Sequence, residues 1–270
     1  MSFTLPLFKI LVLAHITTGG FGAIVLWIPV MGRKGDAQHR RWGTRFSKAL
    51  IATGIFAIGM SLLTLFDPLG THPHLVGQFD VAFIRGMFGW MMLHNGILTL
   101  NLAWHGWRAI RERGREEPDR SVTTHALQWI LLAAAAQCGW QGWQIGQWLM
   151  LGMAGVGVAT ALTNLFFLLR RRLERRHWLK EHIKALVGAG ISAYTAFMAF
   201  GAVRLMPDLA LSPILWSIPL AVGVSIIAYH WVRLDWPVYF GRPKGAQATA
   251  DLAPGPTKPT HSFNRETEHA

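Results

Sequence analysis

Seven apolar stretches alternate with short polar stretches over the first 240 residues of the chain. They cover residues 5–31, 47–66, 82–104, 122–140, 146–169, 184–206 and 213–232. Most of them reach or exceed the roughly 20 residues of helix that cross a bilayer. Backbone N–H and C=O groups in hydrocarbon must be satisfied within the protein, which favours helices. The pattern therefore predicts an all-α integral membrane bundle of seven transmembrane helices.

After Phe240 this pattern ends, and the remaining residues are rich in proline and have no apolar periodicity. Such a segment cannot bury enough apolar surface to offset the entropy that is lost on folding. We therefore predict a transmembrane domain over residues 1–240, followed by a disordered cytoplasmic tail over residues 241–270.

Basic residues lie almost entirely in alternate loops. Of the 26 lysine and arginine residues, all but Lys9, Arg85 and Arg204 fall on the side of the first, third and fifth connections and the C-terminus. Cytoplasmic loops of membrane proteins carry such an excess. The chain is therefore predicted to cross the cell (inner) membrane with its N-terminus outside and its C-terminus in the cytoplasm. This topology also accounts for the formal net charge of +12, so the predicted partner is the lipid bilayer and not nucleic acid.

A weak internal repeat relates residues 40–57 to residues 176–193. Eight of the eighteen positions are identical at a constant offset of 136. If the two stretches are true repeats, spans one to three pair with spans five to seven in a parallel 3+1+3 arrangement, as in some transporters. In the alternative interpretation, two basic loops that lead into Ala- and Gly-rich helices match by chance.

Two of the twelve histidines, His15 and His94, lie well inside predicted spans. An ionisable side chain is costly there, and it should face the protein interior. The helix face of His15 also carries three small residues, Thr18, Gly19 and Gly22. The face of His94 carries two further polar residues that lead toward the cytoplasm, Asn101 and His105. These two faces are the candidate sites inside the membrane.

The arrangement of the histidines suggests a bound cofactor. Low-spin haem b takes two axial imidazoles from facing helices, a pair that His15 and His94 provide in this hypothesis. His39 and His182, which lie at the cytoplasmic interface ahead of spans two and six, are further candidate cofactor-binding residues. A transition metal is the second possibility, because neutral imidazole is a common ligand. The alternative is that the deep histidines only form interhelical hydrogen bonds, each worth about 0.6 kcal/mol.

Three segments carry a family resemblance: Leu13-Ala-His-Ile-Thr-Thr-Gly-Gly-Phe-Gly-Ala-Ile, His39-Arg-Arg-Trp-Gly-Thr-Arg-Phe, and Glu181-His-Ile-Lys-Ala-Leu-Val-Gly-Ala-Gly-Ile. With them the chain resembles a bacterial family of uncharacterised multispanning membrane proteins, a domain of unknown function. The resemblance covers spans one to six. It implies a membrane location, and it points to His15, His39 and His182 as the positions to test first.

No catalytic signature is found in the sequence, which lacks G-x-S-x-G, H-E-x-x-H and a Walker loop. Whether the chain is an enzyme is therefore left open. The leading hypothesis is a histidine-centred protein that binds haem b or a metal for membrane redox chemistry. One alternative is a small-solute transporter built on the parallel repeat, which predicts a continuous polar path through the bundle. The other is an accessory subunit of a larger membrane complex.

Overall fold

The computed structural model describes residues 3–198 and 213–240. Within them the chain is helical and has no β-strand, which confirms the all-α prediction. A short helix at Pro68–Thr71 and a 3₁₀ turn at Pro73–Leu75 connect the second and third long helices. The long helices are α1 (Thr4–Met31), α2 (Ala37–Phe66), α3 (consecutive segments Val81–Ile84, Arg85–Met91 and Met92–Arg111, the middle one a π-helix), α4 (Val122–Gln144), α5 (Trp148–Leu168), α6 (Arg175–Ala196) and α7 (Pro213–Phe240).

Four helices in the described residues are long and apolar enough to cross a membrane. They are α1, α2, α5 and the stretch Ser217–Asp235 of α7. Their apolar surfaces fit a lipid bilayer and indicate a membrane protein. The helices over the predicted third, fourth and sixth spans carry more polar side chains, so the count of seven spans stays a prediction. The end of the predicted sixth span, after residue 198, lies outside the described residues.

The loops with many basic residues lie at one end of the bundle. At the start of α2, the carboxylate of Asp36 accepts a hydrogen bond from the backbone N–H of His39 (2.6 Å) and caps the helix. Two other loops are joined where the N–H of Leu173 donates to the carbonyl of Glu116 (2.8 Å). We name this region the basic end; it comprises loops 32–36, 112–121 and 169–174 and the helix ends that they connect.

Helix α3 is central, since it packs against α2, α4 and α6. Glycines set its closest approaches. A Cβ on Gly54 of α2 would lie 2.9 Å from the carbonyl oxygen of Gly96, and a Cβ on Gly106 would lie 2.9 Å from the Cβ of Ala185 in α6. Helix α2 packs along both α1 and α3, whereas α6, its counterpart in the predicted repeat, packs mainly along α3 within the described residues. The parallel repeat therefore stays a prediction.

The chain forms two compact units, Met1–Trp231 and Val232–Ala270. Helices α1–α6, which hold the candidate site, belong to the first unit. Of the second unit, only the last turns of α7 up to Phe240 lie within the described residues. The predicted cytoplasmic tail, residues 241–270, lies outside them.

Candidate functional site

Three amide side chains from three helices meet in the interior of the bundle. The side-chain nitrogen of Asn164 in α5 donates to the side-chain oxygens of Asn101 in α3 (3.0 Å) and Gln128 in α4 (3.1 Å). Asn101 in turn donates to the same oxygen of Gln128 (3.2 Å). Each of the three residues is at most 1% exposed. Because a buried amide without partners is costly, this mutual bonding lets three amides lie among apolar helices.

An ion pair and a histidine continue this chain of contacts toward the basic end. Lys184 of α6 donates to the side-chain oxygen of Asn164 (2.9 Å) and pairs with the carboxylate of Glu181, three residues earlier. Nε2 of His105 in α3 lies 2.8 Å from the same carboxylate. Burial raises the pKa of Glu181, but the hydrogen bond from His105 and the charge of Lys184 outweigh burial, so the pKa is lowered. An ionised carboxylate only accepts hydrogen bonds, so a neutral His105 carries its proton on Nε2.

We name six residues the polar network: Asn101, His105, Gln128, Asn164, Glu181 and Lys184. Helical spacing explains how they meet. Asn101 and His105 are four residues apart on α3 and share a face with His94; as the sequence predicts, all three are buried. Glu181 and Lys184 are three apart on α6, so they too share a face. The close approach of α3 and α6 at Gly106 brings His105 within reach of Glu181.

A small cavity lies beside the polar network. Its volume, about 20 Å³, leaves room for one water molecule. His105 and Gln128 of the polar network line it, as do Arg108 and Trp104. The indole N–H of Trp104 is buried and has no hydrogen-bond partner among the described residues. A water in the cavity would supply the acceptor that this N–H lacks.

Arg108 forms ion pairs that hold the α3–α4 loop against α3 at the edge of this cavity. Its guanidinium pairs with Glu112, one turn further along, and with Asp119 in the loop. Asp119 also accepts hydrogen bonds from the hydroxyls of Ser121 (2.8 Å) and Thr124 (3.0 Å). Burial raises the pKa of Asp119, but these hydroxyl bonds and the charge of Arg108 outweigh it, and the pKa is lowered. Charged groups therefore hold the loop where the cavity faces the basic end.

His15, the predicted centre of a cofactor site, packs against α2. Its Nδ1 donates to the carbonyl of Thr53 (3.1 Å), and the residue is half-buried. The glycines on its face meet the same helix. A Cβ on Gly19 would lie 3.3 Å from the methyl group of Thr53, and a Cβ on Gly22 would lie 2.2 Å from Leu50. Side chains of α2 therefore fill the groove that the sequence predicts beside His15.

His94 lies in a different interface, where α3 meets α4 and α5. Its Nε2 donates to the carbonyl of Met153 (3.0 Å), and its Nδ1 is buried without a partner among the described residues. The ring covers Gly157, where a Cβ would lie 2.2 Å from Cε1. The structure therefore does not bring His15 and His94 together. Each ring has one nitrogen outside its hydrogen bond, Nε2 in His15 and Nδ1 in His94, but the two rings lie in different helix interfaces.

His39 and His182 come near each other at the basic end. Nδ1 of His39 donates to the carbonyl of Pro29 (3.1 Å), and Nδ1 of His182 donates to that of Gly106 (3.0 Å). Burial lowers the pKa of His182 to about 4, and the charges of His39 and Arg113 contribute to this shift. Nε2 of each ring is the nitrogen left for a ligand. Within the described part of the chain, no three His, Cys, Asp or Glu side chains are grouped so that they could hold a metal ion.

The sequence indicates two of the six residues of the polar network. Asn101 and His105 belong to the predicted polar stripe of span three. Gln128 and Asn164 are not among the predicted site residues. Both lie deep in apolar spans, a position that indicates a polar side chain facing the protein interior. Glu181 and Lys184 follow the charge pattern of a cytoplasmic loop, so the sequence assigns them to the interface and not to the interior.

Comparison of the chain with protein-family models, with curated proteins and with solved structures finds no match. The chemistry of the site therefore follows from its own groups. A carboxylate, an imidazole and three amides are buried together beside a cavity, and a half-buried ammonium joins them. The carboxylate, the ammonium and the amides can bind a small polar solute through charge and hydrogen bonds.

Proposed function

We propose that the chain is a small-solute transporter of the cell membrane and that five members of the polar network, Glu181, Lys184 and the three amides, form its binding site. The proposal rests on one observation: a buried carboxylate and three buried amides meet a half-buried ammonium between four helices of a membrane protein. Ionisable groups inside such bundles typically line the path of a solute or ion. An ion pair is also a poor device for stability alone, since apolar residues of similar volume often stabilise a protein as well or better.

The proposal includes the predicted topology of seven spans, with the N-terminus outside and the basic end in the cytoplasm. The distribution of lysine and arginine supports this orientation. Reporter fusions after residues 36, 115 and 178 are expected to read cytoplasmic, and fusions after residues 74 and 143 external. A cytoplasmic signal from residue 74 would contradict the topology.

In this topology the polar network starts near the cytoplasmic surface and reaches into the membrane. His94 continues the same face of α3 seven residues beyond Asn101, about 10 Å along the helix. On this face the side chains between them, Ile97 and Leu98, are apolar. The polar path is therefore closed at this point, as expected for a transporter that opens to one side at a time.

The cofactor hypothesis is the rival of this proposal, and an optical spectrum tests it directly. The protein would be produced with haem and metals in supply and purified in detergent. A sharp bis-imidazole band in the reduced protein that is lost in His15→Ala or His94→Ala would favour redox chemistry. Copurification with a larger complex would favour an accessory subunit.

Uptake into proteoliposomes tests transport. Four radiolabelled probes cover the main classes of small polar solute: glycine as a zwitterion, lactate as an anion, choline as a cation and urea as a neutral amide. Glycine is expected to enter best, because its two charges match the adjacent Glu181 and Lys184. Lys184→Gln should abolish this uptake, because the variant lacks the cation. The control is Thr17→Val, since the hydroxyl of Thr17 faces outward and bonds only to its own helix at Leu13. Uptake of every probe at the level of protein-free vesicles would overturn the proposal.

A further inference from the structure

We propose that the ion coupled to transport is the proton, that His105 carries it, and that the cavity beside His105 connects it with the cytoplasm. This inference rests on the proposed transport function and specifies the ion that drives it.

The geometry of His105 gives it contact with both the polar network and the cavity. Nε2 donates to the carboxylate of Glu181 (2.8 Å), and the residue also lines the cavity. In the neutral ring the other nitrogen, Nδ1, is an acceptor and is the atom that takes a proton. Imidazole is the side chain whose ordinary titration range includes neutral pH. His105 is thus suited to gain and lose a proton without breaking its bond to Glu181.

Charged groups on α3, on α6 and in the α3–α4 loop surround His105. Phe167 of α5 packs edge-on against the ring (5.8 Å between centroids), and α4 presents only uncharged polar groups there, from Thr124 and Gln128. The charged and titratable neighbours on the other elements are Lys184, Glu181 and His182 on α6, Arg108 and Glu112 on α3, and Asp119 in the α3–α4 loop. With both histidines neutral, two cations face three carboxylates. A proton on His105 brings the formal charges of these groups to a sum of zero.

A metal cation fits this place less well than a proton. A partly dehydrated cation needs several oxygen ligands at once. The Oε1 atom of Glu181 already contacts His105 and Lys184. Each amide oxygen of the polar network accepts a hydrogen bond from a side-chain nitrogen of another member. The cavity has room for a single water molecule. A proton needs no such shell, because it binds directly to a ring nitrogen.

We expect the proton to reach His105 through a water bound to Trp104, whose indole N–H has no partner among the described residues. Its N–H would donate to the oxygen of a water in the cavity, which leaves the hydrogens of that water for His105. A proton from cytoplasmic water passes through this water to Nδ1, and the ring becomes an imidazolium with its Nε2–H still on Glu181. On release the same proton returns to water. A solute that binds Glu181 or Lys184 changes the charge next to His105, and in this way its binding is coupled to the proton.

The test uses full-length protein in sodium-free proteoliposomes that contain the pH dye pyranine, with glycine, lactate, choline and urea as probes. An inward pH difference of one unit drives about tenfold accumulation for one proton per solute. The wild type is expected to approach this value and to acidify the vesicle interior as the probe enters. His105→Gln should still exchange labelled for unlabelled probe but should lose accumulation, because glutamine keeps a hydrogen bond and cannot be protonated. The matched control is His125→Gln, a half-buried histidine of α4 outside the polar network.

The outcomes separate this inference from the transport function. Probe entry without acidification, accumulation that needs sodium, or full accumulation by His105→Gln would overturn the proton and leave transport in place. Entry of no probe into wild-type vesicles would overturn the proposed function, and the inference would fall with it. Loss of exchange in His105→Gln, with its thermal stability unchanged, would show that His105 binds solute and does not carry the proton.

Discussion

Two regions of the bundle hold buried histidines, and they differ in what those histidines meet. In the middle of the bundle, His15 and His94 each bond to a backbone carbonyl of a neighbouring helix. Near the basic end, His105 bonds to a carboxylate, which is itself paired with Lys184. Every helix has backbone carbonyls, so a histidine–carbonyl hydrogen bond is explained by helix packing alone. The partner of an inward-facing histidine, more than its depth in the bundle, therefore distinguishes a candidate functional group from one that only packs.

The two regions also differ in how many helices their contacts join. Each deep histidine links two helices through one hydrogen bond, which in membranes is worth about 0.6 kcal/mol on average. The polar network links α3, α4, α5 and α6, and the loss of any member removes one hydrogen-bond or ion-pair partner from another member. Substitutions in the two regions should therefore differ both in size and in additivity.

The largest effect is expected for Glu181→Ala. The substitution removes the acceptor of the buried His105 imidazole and the ion-pair partner of Lys184, which is half-buried and keeps its bond to Asn164. We expect a cost of about 3 kcal/mol, the lower end of the range for a broken buried pair. Thermal unfolding in detergent and the amount of folded protein in membranes would measure it. Glu181→Gln should be milder, because the amide oxygen still accepts. Glu117→Ala, at an exposed acidic residue of the α3–α4 loop, is the control and should change stability little. Equal stability of Glu181→Ala and the wild type would show that the carboxylate of Glu181 is not buried against His105 and Lys184.

A smaller loss is expected for Asn164→Ala and for Gln128→Ala. Each leaves a buried amide short of a partner, at a cost of about 1–3 kcal/mol. Because the two side chains bond to each other (3.1 Å), the double variant should be less destabilised than the sum of the single variants. Thermal unfolding of the four proteins gives this difference directly. Asn164→Ala combined with Thr17→Ala on α1 should be additive, and additivity within the polar network would contradict the proposed cluster.

His15→Ala and His94→Ala test the other side of the comparison. Each removes one interhelical hydrogen bond, so each should cost no more than about 1–2 kcal/mol. Uptake of the probe and the optical spectrum should both be unchanged. His94→Ala should be the more costly of the two, because His94 is fully buried and His15 is half-buried. Abolished uptake, or the loss of a haem band, would mean that the deep histidines form a site after all.

The helical fold and one face of the polar network follow from the sequence, for identifiable reasons. Apolar runs in a membrane must be helical, and the spacing of Asn101 and His105 places both on one face. Which partner this face meets depends on the pairing of distant helices, and periodicity carries no information on that pairing. Glu181 shows the limit clearly, because it lies in a basic loop pattern yet becomes buried when α6 packs against α3 at Gly106.

The helices that carry most of the polar network are also the ones whose membrane spans are hardest to recognise. Polar side chains lower the hydropathy of α3, α4 and α6, and these helices are not among the four apolar enough to be candidate spans. In a bundle this is the expected relation, since a helix that lines a polar interior need not be apolar on every face. The predicted seven-span topology requires α3, α4 and α6 to cross the membrane with their polar side chains turned toward the protein interior.

The smallest effect concerns His72, a buried histidine of the α2–α3 connection, far along the chain from the polar network. It packs between the rings of Phe8 and Phe88, and burial, with a contribution from His74, lowers its pKa to about 4. The folded protein then binds fewer protons here than the unfolded chain, in which the pKa is 6.5. Stability from this group is therefore fully present above pH 6.5 and is lost as the pH falls toward 4.

Between pH 7.5 and pH 6 the loss amounts to about 0.8 kcal/mol, and thermal unfolding in detergent at the two values would detect it. His72→Phe fills the same aromatic contact without a titrating group, so it should lose less stability than the wild type over this interval. His74→Gln is the control: it keeps the burial of His72 and should retain most of the pH dependence. If His72→Phe and the wild type respond to pH alike, His72 is not held neutral by burial. In that case burial alone would not keep a histidine neutral. The partner of a histidine, a carboxylate or a carbonyl, could then no longer be used to distinguish the two regions by charge.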